Sequence, residues 1–258
     1  MIRIHNLWKS YQKNTVLRGL TLTIERGETL VILGRSGVGK SVLLKQIIGI
    51  EEADQGYVKI NGTMISELRG KKRYAAKLDM GMLFQRSALF DSMSIEENVA
   101  FYLSQHGNRH TGKKYSKKEI RERVDHALNM VGLSGIQKSM PSDLSGGMQK
   151  RAGLARLIVY QPQLLLYDEP TSEVDPMTAM QINELIIKTQ QQLKTTSVVV
   201  THDIISALSV GDRLALQREG HIVYIDTPDA FMRIDDPDII FLNKMITQDP
   251  RSLRKRVT

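Results

Sequence analysis

Gly34-Arg35-Ser36-Gly37-Val38-Gly39-Lys40-Ser41 is the stretch that decides the fold of this chain. It fits the pattern G-x-x-x-x-G-K-[ST], in which glycines let backbone N–H groups turn inward around phosphate oxygens and the lysine reaches the terminal phosphates. Before it, Thr29-Leu30-Val31-Ile32-Leu33 is an apolar, β-rich run; after it, Ser41-Val42-Leu43-Leu44-Lys45-Gln46-Ile47-Ile48 has helical apolar spacing. The motif therefore joins a strand to a helix. A phosphate held there sits on a helix N-terminus, where free N–H groups and the dipole favour anions. The groups expected to bind it are Gly34, Ser36, Gly37, Val38, Gly39, Lys40, Ser41 and Val42.

A second apolar run, Gln163 to Tyr167, is bounded by Pro162 and Pro170 and reads as a buried parallel strand closed by Asp168 and Glu169. Two adjacent acids at a strand's carboxyl end serve different purposes. In a phosphate-loop enzyme the first, Asp168, holds Mg²⁺ together with the Ser41 hydroxyl. The second, Glu169, points at the attacking water as a general base or orients it. Taken alone, Asp-Glu-Pro also fits a solvated acidic turn.

Leu144-Ser145-Gly146-Gly147-Met148-Gln149 supplies another helix entry, with Ser145 a good N-cap before the helix-compatible stretch Met148 to Ile158. One nucleotide does not need two such anion sites. The economical explanation is a dimer in which each Gly34–Ser41 loop's γ-phosphate is covered by the other chain's Ser145-Gly146-Gly147 turn.

At this point the chain resembles the nucleotide-binding subunits of ATP-binding cassette (ABC) transporters, over roughly Ile2 to Pro228 and with the motifs in the expected order. Besides the loop, the Leu-Ser-Gly-Gly signature and the Asp-Glu pair, the resemblance covers a Q-loop glutamine in Met82-Leu83-Phe84-Gln85. It also covers a D-loop in Ser172-Glu173-Val174-Asp175 and a switch histidine in Thr201-His202-Asp203. Tyr11, in Trp8-Lys9-Ser10-Tyr11, matches the family's adenine-stacking aromatic.

The resemblance implies an ATPase that uses ATP and Mg²⁺. Lys40 would bind the β- and γ-phosphates, and Gln85 would sense metal, water and the membrane partner, joining Ser41 and Asp168 as a metal ligand. Glu169 would polarise water and His202 would contact the γ-phosphate. Asp175 would join the composite site of the dimer. Taken singly, Tyr11 also fits a strand-edge aromatic, Gln85 a loop amide and His202 a core histidine. Two positions depart from the common family wording: Glu173-Val174 in the D-loop, and Arg35, where proline is common, which would alter the electrostatics near the phosphates.

Met140-Pro141-Ser142-Asp143-Leu144-Ser145-Gly146-Gly147-Met148 and Ser87-Ala88-Leu89-Phe90-Asp91-Ser92-Met93 look like the ATPase subunits of Mla/Mce-type phospholipid transport systems. That resemblance implies a homodimer with an integral-membrane permease at the cytoplasmic face of the inner membrane, together with a small regulatory subunit and a lipid-binding Mce-type protein. An ATPase subunit of an amino-acid or other polar-solute importer shares most of the motifs. A soluble ABC ATPase acting on ribosomes or DNA is the reading from a different class; such proteins usually carry two cassettes or a long coiled-coil insert, and this chain has one cassette and neither extra.

Composition agrees. The 258 residues suffice for one α/β domain with a sizeable core, and the absence of cysteine excludes disulfides and thiolate metal sites. The start, Met1-Ile2-Arg3-Ile4-His5, leads into a strand without the pattern of a signal peptide, and no apolar stretch approaches the ~20 residues that span a bilayer. The net charge of +8 gathers at Arg69–Arg73, Lys113–Lys118 and Arg251–Arg256. Such patches fit nucleic acid, or solvated faces near an anionic membrane. With 5% aromatics and none interleaved in the patches, no base-stacking platform is expected, hence no nucleic-acid partner.

The expected architecture is a phosphate-loop (RecA-like) α/β core at residues 1–91 and 161–228, beginning with an antiparallel β region (Ile2 to Leu7, Val16 to Ile24). A helix-rich insert at about 92–160 holds Ile120, Val124, Leu128 and Val131 at helical spacing. An extension at about 236–258 begins with an amphipathic helix around Ile239-Ile240-Phe241-Leu242 and Met245-Ile246. That helix is expected to dock on its own subunit or on a neighbouring chain.

Overall fold

The computed structural model of the protein describes residues 1–108 and 111–247. Among the described residues ten strands occur: β1 Ile2–Tyr11, β2 Asn14–Ile24, β3 Thr29–Leu33, β4 Gln55–Ile60, β5 Thr63–Met64, β6 Met80–Leu83, β7 Leu164–Asp168, β8 Thr196–Thr201, β9 Arg213–Arg218 and β10 His221–Asp226. The α-helices are α1 Lys40–Ile47, α2 Gly70–Lys77, α3 Ile95–His106, α4 Lys117–Met130, α5 Gly146–Ile158, α6 Pro176–Leu193, α7 Ile204–Val210, α8 Pro228–Phe231 and α9 Pro237–Thr247. The basic tail Arg251–Arg256 lies outside the described residues.

Two sheets form. The first is antiparallel, in the order β2-β1-β4-β5; the second has the order β10-β9-β3-β8-β7-β6, parallel throughout except for the β10–β9 pair. Every residue of β3, β7 and β8 is buried, which explains why these strands read as unbroken apolar runs. Successive side chains leave a strand on opposite faces. Leu30, Ile32, Leu164, Leu166, Val198 and Val200 thus enter a core shared with α1 and the antiparallel sheet. Val31, Leu33, Leu165, Tyr167 and Val199 enter the other, whose further members include Val99, Leu103, Val124, Leu128, Ala152 and Ile158 from α3, α4 and α5. The helices between β6 and β7 therefore share one continuous core with the sheet.

β1 runs on to Tyr11, past the expected end at Leu7, because its ladder with β2 absorbs irregularities around Asn6, where φ is 47°, and resumes through Trp8, Lys9 and Ser10. The tight turn after Tyr57–Ile60 is formed by Asn61 and Gly62, both at positive φ, as a two-residue hairpin into β5 demands. The basic run Arg69–Arg73 proves partly helical, entering α2, and it is not merely solvated: Arg73 donates to the Gly49 carbonyl at 3.0 Å and pairs with Glu52 at 3.1 Å. The helix α9 docks on its own subunit through the fully buried Ile239, while Phe241 stays 63% exposed. Among the described residues no helix is long and apolar enough to cross a membrane.

Candidate active site

Parallel strands bring their carboxyl ends to one edge, and the loops after β3, β7 and β8 carry the chemistry there. The Gly34–Ser41 loop leaves β3 and enters α1, with Gly37 at φ 85° and Gly39 at φ 100°. Two glycines are needed for space as well. A Cβ on Gly34 would lie 2.6 Å from the Gln217 carbonyl oxygen, and one on Gly39 would lie 2.6 Å from Val16 Cγ1.

Lys40, the first residue of α1, is 6% exposed. Its ammonium donates to the carbonyls of Gly34 at 2.7 Å and Arg35 at 3.1 Å and lies 3.3 Å from Glu169 Oε1. The adjacent Ser41 hydroxyl donates to Asp168 Oδ1 at 2.7 Å. Burial pushes the Asp168 carboxyl above its ordinary value, and the bond from Ser41 opposes that rise. A buried carboxylate beside a hydroxyl is a hard-oxygen donor pair of the kind magnesium takes while keeping waters and phosphate oxygens as its remaining ligands. These two side chains fit that ion.

Glu169 begins the turn after β7 in the left-handed region, φ 49°, with its N–H given to the Val200 carbonyl at 2.9 Å. Backbone strain of this sort collects at functional positions. Its Oε2 accepts from the His202 backbone N–H at 3.3 Å and stands 2.9 Å from His202 Nδ1. His202 is exposed, so it is no core histidine; Asp203 holds it in place by capping α7 through the N–H groups of Ile205 and Ser206.

Tyr11 ends β1, with its phenol donating to the Glu51 carboxylate. Burial and that carboxylate push its pKa up to about 12. Gln85 is exposed just past β6, its amide 3.5 Å from Glu173 Oε1. One cleft of about 360 Å³ is lined by Tyr11, Ser36, Gly37, Gly39, Lys40, Ser41, Val42, Gln85, Glu169 and His202 together.

Ser145, Gly146, Gly147 and Asp175 do not line that cleft. Ser145 caps α5 by accepting from the Met148 N–H at 3.3 Å, and Ser145 and Gly146 face outward. Asp175 caps α6, its carboxylate accepting from the Thr178 N–H at 3.0 Å and hydroxyl at 2.5 Å, and these bonds hold its pKa below the usual aspartate value. The two caps touch through Thr178: a Cβ on Gly147 would stand 2.4 Å from its methyl carbon.

Arg35 does not face the phosphate loop's interior; its guanidinium donates to Asp238 of α9 at 2.8 Å. Asp238 also accepts from Arg218 at 3.2 Å, so the charge expected near the phosphates is engaged by the C-terminal helix. Glu51, Thr178 and Lys150 also shape this region, and nothing in the sequence marks them. The first two lie outside any motif. Lys150 follows one, but a lysine on a helix gives no sign that it will be buried, and here it is 7% exposed.

Comparison with known proteins places the chain in a family. The family described as "ABC transporter" matches residues 17–172, more than half of the chain. A probable ribonucleotide transport ATP-binding protein, mkl, of Mycobacterium tuberculosis is 41% identical over 243 residues, 94% of this chain and 66% of that protein. The spermidine/putrescine import ATP-binding protein PotA of Legionella pneumophila is 40% identical over 230 residues, 89% of this chain and 60% of the relative. The chain thus spans about two thirds or less of these relatives' lengths. Among solved structures, the ATP-binding cassette MJ0796 in a dimeric, post-hydrolysis state bound to ADP and Pi superposes with a TM-score of 0.80 at 30% identity, over 88% of this chain and 99% of that one. With its phosphate loop, its acidic strand end and its family match in agreement, this chain belongs to the ABC transporter family as one of its ATP-binding domains.

Proposed function

We propose that this chain binds and hydrolyses ATP as the energy-supplying subunit of a membrane transporter, that two copies share each nucleotide, and that the cargo is phospholipid moved between inner and outer membranes. One observation carries the nucleotide reading. Lys40, Ser41, Gln85, Glu169 and His202 line a single cleft, while the Ser145–Gly147 helix entry stands outside it, with Ser145 and Gly146 exposed.

On this reading Tyr11 stacks on the adenine and the loop's N–H groups hold the phosphates. Lys40 exchanges its bonds to the Gly34 and Arg35 carbonyls for phosphate oxygens. Ser41 and Asp168, joined by Gln85 from across the cleft that it lines with Ser41, would hold Mg²⁺, whose charge offsets that of the phosphates. Glu169 takes the proton of the attacking water, and His202, 2.9 Å from the same carboxylate, orients it and reaches the γ-phosphate. The partner's Ser145–Gly147 turn and Asp175 close over that phosphate. A ligand that moves a pair from mostly open to mostly closed must favour the closed form by about 5.5 kcal/mol, within reach of several charge-assisted phosphate contacts. Hydrolysis removes the bridge, and the Gln85 loop passes the opening to a permease at the cytoplasmic face of the inner membrane.

The relatives' names support transport: mkl, PotA and the CysA protein of Nocardia farcinica are all named as transport or import ATP-binding proteins. The cargo rests on the Met148 and Ala88-Leu89-Phe90 wording, which implies a regulatory subunit and a lipid-binding Mce-type partner. Likeness to PotA and CysA favours a second reading, an importer of a small polar solute. Copurification from detergent, followed by identification of the bound chains and lipids, decides between them. A permease with a lipid-binding periplasmic protein supports phospholipid; a solute-binding protein selects the importer. Phosphate release by the purified chain that rises with the square of its concentration supports paired sites, and none at any concentration overturns the ATPase reading.

A further inference from the structure

Lys150 lies on α5, five residues beyond the Ser145 cap, and at 1.5 Å per residue this places it about 7.5 Å along the helix from that cap. It is 7% exposed. Its ammonium donates to the Ser172 carbonyl and, at 3.3 Å, to the Ser172 hydroxyl. Ser172 in turn gives both its N–H, at 3.1 Å, and its hydroxyl, at 2.9 Å, to the Glu169 carbonyl. This carbonyl belongs to the residue held at φ 49° whose carboxylate meets Lys40 and His202.

A lysine buried to this degree is costly unless its charge is used. Burial lowers its pKa, while the carboxylates of Glu173 and Glu169 favour the charged form. The two hydrogen bonds to Ser172 spend that charge on the back of the Glu169 turn. The helix that carries Lys150 has the other function of presenting Ser145–Gly147 at its outer end.

We propose that Lys150 is a positioning residue that couples the two half-sites carried by one subunit, the Ser145–Gly147 turn serving the partner's nucleotide and the Glu169 carboxylate serving its own. The inference rests on the paired-site reading above. When a nucleotide seats on the outer end of α5, the helix moves as a rigid rod, and Lys150 transmits that displacement through Ser172 to the backbone that aims Glu169. Because Lys150 touches none of the phosphate-binding groups, ATP binding at the subunit's own loop is independent of it.

The test uses the full chain with Lys150→Met, which keeps the apolar stem and removes the donors, and Lys150→Arg, which keeps them. Binding of a fluorescent ATP analogue is measured alongside turnover as a function of ATP concentration. In the Met variant kcat is expected to fall about 10- to 100-fold, the scale of a misaimed catalytic group. Analogue affinity stays within about twofold and the Hill coefficient drops toward one, whereas Lys150→Arg recovers most of both kinetic properties. Unchanged kcat and Hill coefficient in the Met variant overturn the proposal, as does a loss of analogue affinity equal to the loss of turnover. If Lys150→Met does not fold, Lys150→Gln is judged by the same criteria. A wild-type chain that binds the analogue but turns over without any cooperativity overturns the paired-site reading itself, a result distinct from failure of the Lys150 link.

Discussion

The hydroxyl of Ser41 and the carboxylate of Asp168 meet at 2.7 Å although 127 residues separate them in sequence. The contact exists because β3 and β7 both flank β8 and end at the same edge of the sheet. Asp168→Asn keeps the shape and removes the charge. The magnesium-dependent part of ATP affinity is expected to weaken about 10- to 100-fold, the worth of a charged hydrogen-bonding group. Calorimetric titration with and without the ion measures it.

The same residue makes a statement about pH. Burial raises the Asp168 carboxyl above its ordinary 3.8, so the folded state holds that proton more tightly than the unfolded chain does. Stability from this group is therefore greatest at low pH and falls as pH rises through the interval above 3.8. In metal-free buffer the melting temperature of Asp168→Asn should lack that decline; parallel wild-type and variant profiles would refute the assignment.

Glu169→Gln preserves the size of the side chain but removes the carboxylate 2.9 Å from His202 Nδ1, the proton acceptor of the proposed mechanism. The variant is expected to bind ATP and to dimerise with it, while turnover drops about 100-fold or more, the scale of general-base catalysis. Undiminished phosphate release would rule out Glu169 as the water-activating group.

Tyr11 separates ring from hydroxyl. Tyr11→Ala is expected to weaken ATP by the roughly 1–3 kcal/mol of a base-stacking platform, whereas Tyr11→Phe retains nearly all affinity. Since the phenol's pKa is about 12, wild-type affinity should show no tyrosine-linked change near pH 10. Glu51→Gln removes a cause of the rise, so absorbance titration should find the Tyr11 phenolate at lower pH in that variant.

Gly147→Ala places a methyl where the Thr178 methyl carbon already stands, 2.4 Å away. One of the two caps must shift. Analogue binding to the phosphate loop is expected to survive, with turnover reduced about tenfold or more because, on the paired-site reading, the partner's nucleotide loses its cover. Thr178→Ser removes the clashing carbon and keeps the hydroxyl bonded to Asp175, so the double variant should recover. No recovery would show that Gly147 matters for backbone freedom instead.

What the amino-acid sequence determined by itself is the order of elements and the identity of the chemical groups. The loop glycines, the run Leu164–Tyr167 and the Ser145 cap act within a few neighbouring residues, where spacing and backbone geometry are local properties. Even the two-sided burial of β7 was legible, because a strand covered on both faces must be apolar throughout. Only the tertiary structure decided which groups meet. The Glu51 phenol acceptor, the Arg35–Asp238 pair across 203 residues and the buried Lys150 beneath Ser172 join segments distant in the chain. Their residue types have no periodicity that marks them, since a charged side chain on a helix is written the same way whether water or another helix covers it. Burial is a property of what packs on top, and that is settled by the close packing of the whole chain.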